Sequence, residues 1–145
     1  MKRAILVIGI LALAAVVFSA CGQKGTTTRE GQQVKLDGGS YQNITPAQLK
    51  SMLENKDFLF VNVHVPYEGE ISGTDDFVPY NEIEPNLSRF PGDKGAKIVV
   101  YCRSGSMSAI AAKTLVRTGY TNIWNLDGGM IEWERQGFQL VRVAR

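Results

Sequence analysis

The chain has 145 residues, with 16 Lys+Arg against 14 Asp+Glu. This near-neutral balance excludes the strongly basic surface that a nucleic-acid-binding protein needs, so no nucleic-acid partner is predicted. From residue 41 onward the chain has roughly a hundred residues, the usual size of one domain, and it shows no internal repeat. We therefore expect one domain preceded by an N-terminal part of different character.

The first twenty residues, 1–20, predict an export signal. Lys2 and Arg3 form a positive start, residues 4–18 are almost wholly apolar, and the two residues that follow are small enough for a signal peptidase site. The apolar run is shorter than the roughly 20 residues that a transmembrane helix needs. Cleavage is therefore favoured, with an uncleaved membrane anchor as the alternative.

A cysteine follows this signal directly. The stretch FSAC resembles the lipobox of bacterial lipoproteins, which implies cleavage before Cys21 and a lipid group on its sulfur. The resemblance implies an extracytoplasmic protein, anchored by lipid to a bacterial membrane in the cell envelope. Residues 21–40 are polar and rich in Gly and Thr, which predicts a lipidated N-terminus and a flexible linker. The folded domain is then predicted over residues 41–145.

The folded part alternates helices and strands. In the segment NITPAQLK, Thr45 can cap a helix, Pro46 suits its first position, and Gln48 can complete a capping box. Runs of β-branched and aromatic residues predict three buried strands, at 58–65, 97–102 and 121–126. This alternation, joined by short loops, predicts an α/β domain with a parallel sheet.

The stretch SMSAIAAKTLVRT predicts a further helix, which Gly119 ends. Helical spacing places one set of residues on a single face: Met107, Ile110, Ala111, Thr114 and Leu115. A DGG turn and a short helix, MIEWERQG, follow the third strand.

Cys102 stands where the second predicted strand gives way to a helix. Sites in parallel sheets form outside the carboxyl ends of the strands. A helix start offers unpaired N–H groups and the positive end of the dipole, which favour the nucleophilic thiolate. Small residues at 104–106 let the loop form a nest of N–H groups, and Arg103 adds a cation. The loop is predicted to hold an anion and attack it with sulfur; a tight turn with a packed cysteine is the alternative.

From about Thr45 to Phe138, three motifs resemble those of the rhodanese (sulfurtransferase) family. The loop from Cys102 to Gly105 is similar to C-R-S-G-x-R-S, and LDGGMIEW (126–133) is similar to L-x-G-G-x-x-x-W. The segment FLFVNVHVPYEGEISG (58–73) occupies the place of D-V-R-x-x-x-E-F-x-x-G-H-I-x-G. The resemblance implies a single rhodanese-like domain whose central parallel β-sheet has helices on both faces.

The resemblance also implies an enzyme of the thiosulfate sulfurtransferase type, with Cys102 as its nucleophile. Cys102 would take a sulfane sulfur from a small anionic donor, thiosulfate or polysulfide, and pass it from a persulfide to a thiol or cyanide. The residues implied to cradle this sulfur are Arg103, Ser104, Gly105, Ser106 and Met107. No cofactor and no metal ion is predicted.

The chain departs from the family pattern at several positions. Met107 stands where the loop often has Arg, which weakens thiosulfate binding or favours a less charged donor. Asn62 and His64 replace the frequent Asp and Arg, which indicates that a surface ion pair has become neutral. Glu70 stands where the family often has His. A lone His at a strand end favours a structural role for His64, with a general base for the acceptor thiol as the alternative.

Competing functions remain at this stage. Cysteine phosphatases and arsenate reductases need an Arg six positions after the nucleophile, where this chain has Ser108. The main alternative is a non-catalytic rhodanese-like module that binds a partner or senses oxidants through Cys102. The acidic residues between 68 and 76 lack the fixed spacing of cation-binding loops, which favours a solvated loop.

Overall fold

The computed structural model describes residues 31–142. The predicted signal peptide and Cys21 therefore lie outside the described residues. Within 31–142, no helix is long and apolar enough to cross a membrane.

A mostly parallel sheet lies at the centre of the domain. The elements in chain order are β1 (Gln32–Leu36), β2 (Gly39–Ile44), α1 (Pro46–Glu54), β3 (Leu59–Asn62), β4 (Glu70–Ile71), β5 (Asp76–Phe77), a 3₁₀ helix (Glu84–Arg89), β6 (Ile98–Tyr101), α2 (Ser106–Arg117), β7 (Ile123–Leu126), α3 (Gly129–Arg135) and β8 (Leu140–Val141). Six strands pair in the order β1-β2-β7-β6-β3-β5, and only β1 and β2 pair antiparallel in this sheet of the described chain. Strands β4 and β8 form a separate antiparallel ribbon. The predicted α/β fold class is confirmed.

The sheet separates two apolar cores, because successive side chains of a strand point to opposite faces. On one face, α2 contributes Ala111, Ala112 and Leu115. On the other face, α1 contributes Leu49, and α3 contributes Met130 and Trp133. Helices therefore cover both faces, as predicted. This double cover explains why all four residues of β6 are apolar and buried.

The start of α1 forms the capping box that the sequence predicts. The Thr45 hydroxyl accepts a hydrogen bond from the Gln48 N–H at 3.3 Å, and the Gln48 side chain accepts from the Thr45 N–H at 2.8 Å. Pro46 occupies the first helical position. The helix start is thus satisfied by its own side chains.

The sheet begins earlier than residue 41. Residues placed in the linker by composition form β1, which pairs with β2 from Gln32 opposite Asn43 to Leu36 opposite Gly39. Val34 and Leu36 pack against the core, while Lys35 between them is exposed. Two alternating apolar residues are too weak a periodicity to separate a strand from a polar linker. The linker predicted to residue 40 is therefore too long.

Two local predictions are also wrong. Ile110 is 48% exposed, although the predicted apolar face of α2 includes it. The buried face includes Ala112 and Val116 instead, because a helix rich in alanine fits the apolar spacing in more than one rotation. Glu70, predicted in a loop, lies buried in β4.

Candidate active site

Gly105 lets the chain turn from β6 into α2. Cys102 follows the last residue of β6, and Gly105 precedes α2 with a φ of +91°, a conformation that favours glycine. A Cβ at this position would also lie 3.1 Å from the backbone nitrogen of Gly128. The glycine of the CRSG motif therefore serves both the turn and a close contact with the DGG turn.

The sulfur of Cys102 lies inside this turn. The N–H of Gly105 donates to Sγ at 3.1 Å, and the hydroxyl of Ser108 lies 3.4 Å from Sγ and 3.1 Å from the Gly105 carbonyl oxygen. Cys102 is 1% exposed and Ser108 is fully buried. A hydroxyl and an amide therefore both face the sulfur.

The first turn of α2 adds further donors. No side chain caps this helix, and its first intrahelical bond runs from the Ala109 N–H to the Gly105 carbonyl at 3.0 Å. The N–H groups of residues 106–108 consequently have no acceptor within the helix. Together with the Gly105 N–H they form the positive end of the helix dipole next to Sγ. This arrangement can stabilise a negative charge on sulfur.

The DGG turn holds the other side of the loop. The N–H groups of Met130 and Ile131 donate to the carbonyl oxygens of Cys102 and Arg103, each at 2.9 Å. A Cβ at Gly129 would lie 2.7 Å from the Arg103 carbonyl oxygen and closer still to that of Cys102. Because a trans peptide directs its C=O and N–H to opposite sides, fixing these carbonyls turns the following N–H groups away from α3. The DGG turn thus determines the conformation of the loop that follows Cys102.

The predicted cradle residues do not all behave alike. Gly105 contacts Sγ directly, and Ser106 and Met107 contribute free N–H groups of the first helical turn. Ser104 is exposed, and its hydroxyl lies 3.4 Å from that of Ser106. The guanidinium of Arg103 is half exposed and donates to Glu68 Oε2 at 3.0 Å. The side chain of Arg103 is therefore bound to a carboxylate in this state of the site.

Glu68 joins Arg103 to His64. Its Oε2 atom also lies 3.1 Å from Nε2 of His64, whose ring is buried at the carboxyl end of β3. The other ring nitrogen, Nδ1, is buried without a partner among the described residues. An exposed Arg–Glu pair contributes at most about 1 kcal/mol to stability, so this chain of contacts positions Arg103 more than it stabilises the fold.

Asn62 does not lie on the surface, so the prediction that it replaces half of a surface ion pair is wrong. Its side chain is fully buried, donates to the Gly69 carbonyl at 3.0 Å and accepts from the His64 N–H at 3.0 Å. It therefore ties the two ends of the loop after β3 together.

Tyr101, the residue before Cys102, anchors the β4–β8 ribbon to β6. Its hydroxyl accepts from the Ile71 N–H at 3.0 Å and lies 2.6 Å from the Thr74 hydroxyl. Burial raises the pKa of Tyr101 above its ordinary value, so the phenol stays protonated at neutral pH. The strand that leads into Cys102 is thereby fixed from the side opposite α2.

Ser108 is the contact that the sequence argument missed. The sequence marks Ser108 only as the position where a phosphatase has Arg, yet its hydroxyl faces the sulfur. Its place on the first turn of α2, three residues after Gly105, is the signal in the sequence that could have found it.

The acidic residues between 68 and 76 form ion pairs within the fold and do not form a cation site: Asp75 pairs with Lys56, and Asp76 pairs with Arg89. Among residues 31–142, no three potential metal ligands cluster.

Comparison with known proteins identifies the family. The model of the rhodanese-like domain matches residues 45–136. The chain belongs to the rhodanese-like domain family. A sulfurtransferase from Allochromatium vinosum is 34% identical over 92 residues, which cover 62% of this chain and 84% of that relative. A tRNA uridine(34) hydroxylase from Erwinia tasmaniensis is 29% identical over 106 residues, covering 69% of this chain and 30% of the hydroxylase.

Solved structures of the family have the same fold. A rhodanese-related protein from Thermoplasma volcanium is 27% identical, with a TM-score of 0.59, and covers 70% of this rhodanese-like chain and 98% of its own. A rhodanese-like domain protein from Staphylococcus aureus is 28% identical, with a TM-score of 0.58 over the same shares. The relatives differ in their named activities, since one is a sulfurtransferase and another is a tRNA hydroxylase. They also differ in size, since this chain spans less than a third of the tRNA hydroxylase.

Proposed function

We propose that this rhodanese-like domain is a sulfurtransferase that carries a sulfane sulfur as a persulfide of Cys102. The observation that carries the proposal is the contact of Sγ with the Gly105 N–H, at the uncapped start of α2. The similarity to a sulfurtransferase over most of that relative's length supports the same class of reaction.

The first half-reaction loads the cysteine. The Cys102 thiolate attacks the outer sulfur of thiosulfate, the S–S bond of thiosulfate breaks, and sulfite leaves with the bonding electron pair. The outer sulfur of the persulfide then carries the negative charge, which the free N–H groups of the first turn of α2 stabilise. A polysulfide transfers its terminal sulfur to Cys102 in the same way, and a polysulfide shorter by one sulfur atom leaves.

The second half-reaction discharges the cysteine. An acceptor thiolate or cyanide attacks the outer sulfur, and the electron pair of the broken S–S bond returns to Sγ. The products are an acceptor persulfide or thiocyanate, together with the Cys102 thiolate. This is a ping-pong scheme with one covalent intermediate, and the same N–H groups stabilise the leaving thiolate.

Intact mass spectrometry tests the proposal. The chain from residue 22 onward keeps every described residue and removes the second thiol, Cys21. It is weighed before and after thiosulfate, beside Cys102→Ser. We expect a gain of one sulfur atom that cyanide removes and that Cys102→Ser does not show. If neither thiosulfate nor polysulfide loads the thiol, the domain is a non-catalytic binding or redox-sensing module instead.

The location of the protein is a separate proposal. The FSAC stretch supports processing at Cys21 and a lipid anchor outside the cytoplasm. Labelling of the full chain with a radioactive fatty acid in a bacterial host tests this: the wild type is expected to incorporate the label and Cys21→Ser is not. Equal labelling of the two chains would contradict a lipid on Cys21.

A further inference from the structure

Glu68 connects the loop after β3 to the loop after β6. Its Oε2 atom accepts a hydrogen bond from the Arg103 guanidinium at 3.0 Å and lies 3.1 Å from Nε2 of His64. Within residues 31–142, Glu68 is the only hydrogen-bonding partner of the Arg103 side chain. The residue that follows Cys102 is therefore attached through its side chain to a neighbouring loop.

The loop that carries Glu68 is itself fixed at both ends. The buried side chain of Asn62 accepts a hydrogen bond from the His64 N–H and donates one to the Gly69 carbonyl oxygen, each at 3.0 Å. Gly69 follows Glu68 directly, and His64 is 6% exposed, so both neighbours of the carboxylate are held by buried contacts. Glu68 thus holds Arg103 from a backbone that has little freedom to move.

The Arg103 side chain and the Cys102 sulfur lie on different sides of the loop. The sulfur accepts from the Gly105 N–H, and Cys102 packs in the core beneath α2. The Arg103 guanidinium binds Glu68, which lines a cavity beside α3 and β8 on the other face of the sheet. The Arg103 carbonyl oxygen also accepts from α3, through the Ile131 N–H at 2.9 Å. The cation is therefore held away from the N–H groups next to the sulfur.

We propose that Glu68 is a positioning residue for sulfur transfer and that it acts by holding Arg103. The inference rests on the proposed persulfide of Cys102. Arg103 is held at two points, its carbonyl by α3 and its guanidinium by Glu68, so its peptide unit with Ser104 keeps one orientation. Because this peptide unit lies between Cys102 and the first turn of α2, its orientation affects how the N–H groups face the sulfur. The donor anion is bound by these N–H groups, while the Arg103 side chain binds the protein.

A role of Arg103 in binding the donor would give Glu68 the opposite effect. A carboxylate that occupies the guanidinium would compete with an anionic donor, so its removal would speed loading by thiosulfate. If Glu68 instead holds the loop, its removal slows loading by every donor, since a small misplacement of reacting groups is costly. The sign of the change at Glu68 therefore separates the two roles.

The experiment measures persulfide loading in the chain from residue 22 onward, which keeps every described residue. The donors are thiosulfate, a dianion that releases sulfite, and methanethiosulfonate, a monoanion that releases methanesulfinate. The limiting rate constant and the half-saturating concentration are determined for each donor. We expect Glu68→Ala and Arg103→Ala each to lower the limiting rate constant about fivefold with both donors. The double variant should be no slower than the single variants, because the pair acts as one unit.

Two further variants serve as controls. Arg103→Lys keeps a cation that can bind Glu68 and should retain most of the limiting rate constant, whereas a rate as low as that of Arg103→Ala would contradict the proposal. Glu84→Ala removes the carboxylate of another exposed pair, with Arg117 at the far end of α2, and should change neither constant. Urea unfolding shows that each variant is folded, and if Glu68→Ala is not, Glu68→Gln replaces it with slower loading by both donors again expected.

The outcomes distinguish this role from the sulfur transfer itself. If the wild type loads but the Glu68 variant has the same or a higher limiting rate constant, the positioning role is overturned. It is also overturned if Arg103→Ala raises only the half-saturating concentration, and more for thiosulfate than for methanethiosulfonate, because Arg103 then binds the donor. If the wild type is loaded by neither donor nor by polysulfide, the sulfur transfer is overturned, and the role of Glu68 with it.

Discussion

Helices α2 and α3 begin at the same edge of the sheet, yet their free N–H groups serve different ends. Both start behind a glycine with positive φ and without a side-chain cap. In α3, the N–H groups of Met130 and Ile131 are occupied by carbonyls of the Cys102 loop. In α2, the N–H of Gly105 donates to the sulfur at 3.1 Å, and the N–H groups of the first turn have no acceptor in the helix. Both helix starts follow the same kind of glycine, so the role of each start depends on the group that its N–H groups face. N–H groups that face carbonyl oxygens hold a loop in place, whereas N–H groups that face a sulfur can bind an anion.

Helix α1 makes the difference clearer. Its first N–H groups are satisfied by the hydroxyl and amide side chains of a capping box. A helix start that is capped in this way has fewer donors left for a ligand. The absence of Ser, Thr, Asn or Asp at the cap of α2 is therefore consistent with a functional role for that start.

The largest expected effect is that of disrupting the contact between α3 and the Cys102 loop. Gly129→Ala would place a Cβ against the carbonyl oxygens of Cys102 and Arg103. We expect a loss of about 3 kcal/mol in the free energy of unfolding, because the clash adds to the strain of a positive φ. Persulfide loading should fall more than tenfold, since a misplaced loop alone can cost that much. Urea unfolding and the loading rate measure both.

Gly137→Ala is the matched control for this change. Its φ is +87°, but a Cβ there meets nothing within 4 Å. It should therefore lose only about 1 kcal/mol through backbone strain and keep its loading rate. Equal losses of stability and of loading rate in the two variants would show that the contact of α3 with the Cys102 loop determines neither.

The next effect concerns the site itself. Ser108→Ala removes the hydroxyl that lies 3.4 Å from Sγ. Because a hydrogen bond to a charged group contributes more than a neutral one, we expect loading to slow about tenfold. Ser106→Ala, an exposed serine on the same helical turn, should load at nearly the wild-type rate. Similar rates for the two variants would remove Ser108 from the site.

A smaller change in the opposite direction is expected at the second position of α2. Met107→Arg restores the cation that the family loop often has, at a helix start that already favours anions. We expect thiosulfate to load about threefold faster, the size of one exposed charge interaction, and a less charged alkyl persulfide to gain less. Met107→Gln is the control of similar length without charge. The same rates in the Arg and Gln variants would contradict an electrostatic effect.

The smallest effect on chemistry is expected at α1. Thr45→Ala removes the cap and should lower the free energy of unfolding by about 1 kcal/mol. Persulfide loading should not change, because this helix start contacts no part of the sulfur site. Thr45→Ser keeps the hydroxyl and should restore most of the stability. If folded Thr45→Ala loads sulfur more slowly than the wild type, the claim that the start of α1 does not affect the sulfur site is wrong.

The features that the sequence predicts well are those with local causes. The capping box at Thr45 needs only four neighbouring residues, and the strand that ends before Cys102 is a continuous apolar run. The position of Cys102 between a strand and a helix follows from the same local signals. Fold class and the central loop could therefore be predicted from the sequence.

The features that it misses depend on distant contacts. Asn62 is buried because it ties a loop together, and Ser108 matters because its turn of α2 faces the end of β6. The pairing of β1 with the sheet also depends on a partner strand and not on its own polar sequence.

The direction of β1 places the start of the described chain at the edge of the sheet where the site lies. Because β1 runs antiparallel to β2, with Gln32 opposite Asn43, the chain joins the sheet at the carboxyl edge of the parallel strands. Cys102 lies at that same edge, three strands away, or about 14 Å at the usual strand spacing. The first described strand therefore begins at the edge of the sheet that carries the thiol, and the chain before it leads away from that edge and not from the opposite one.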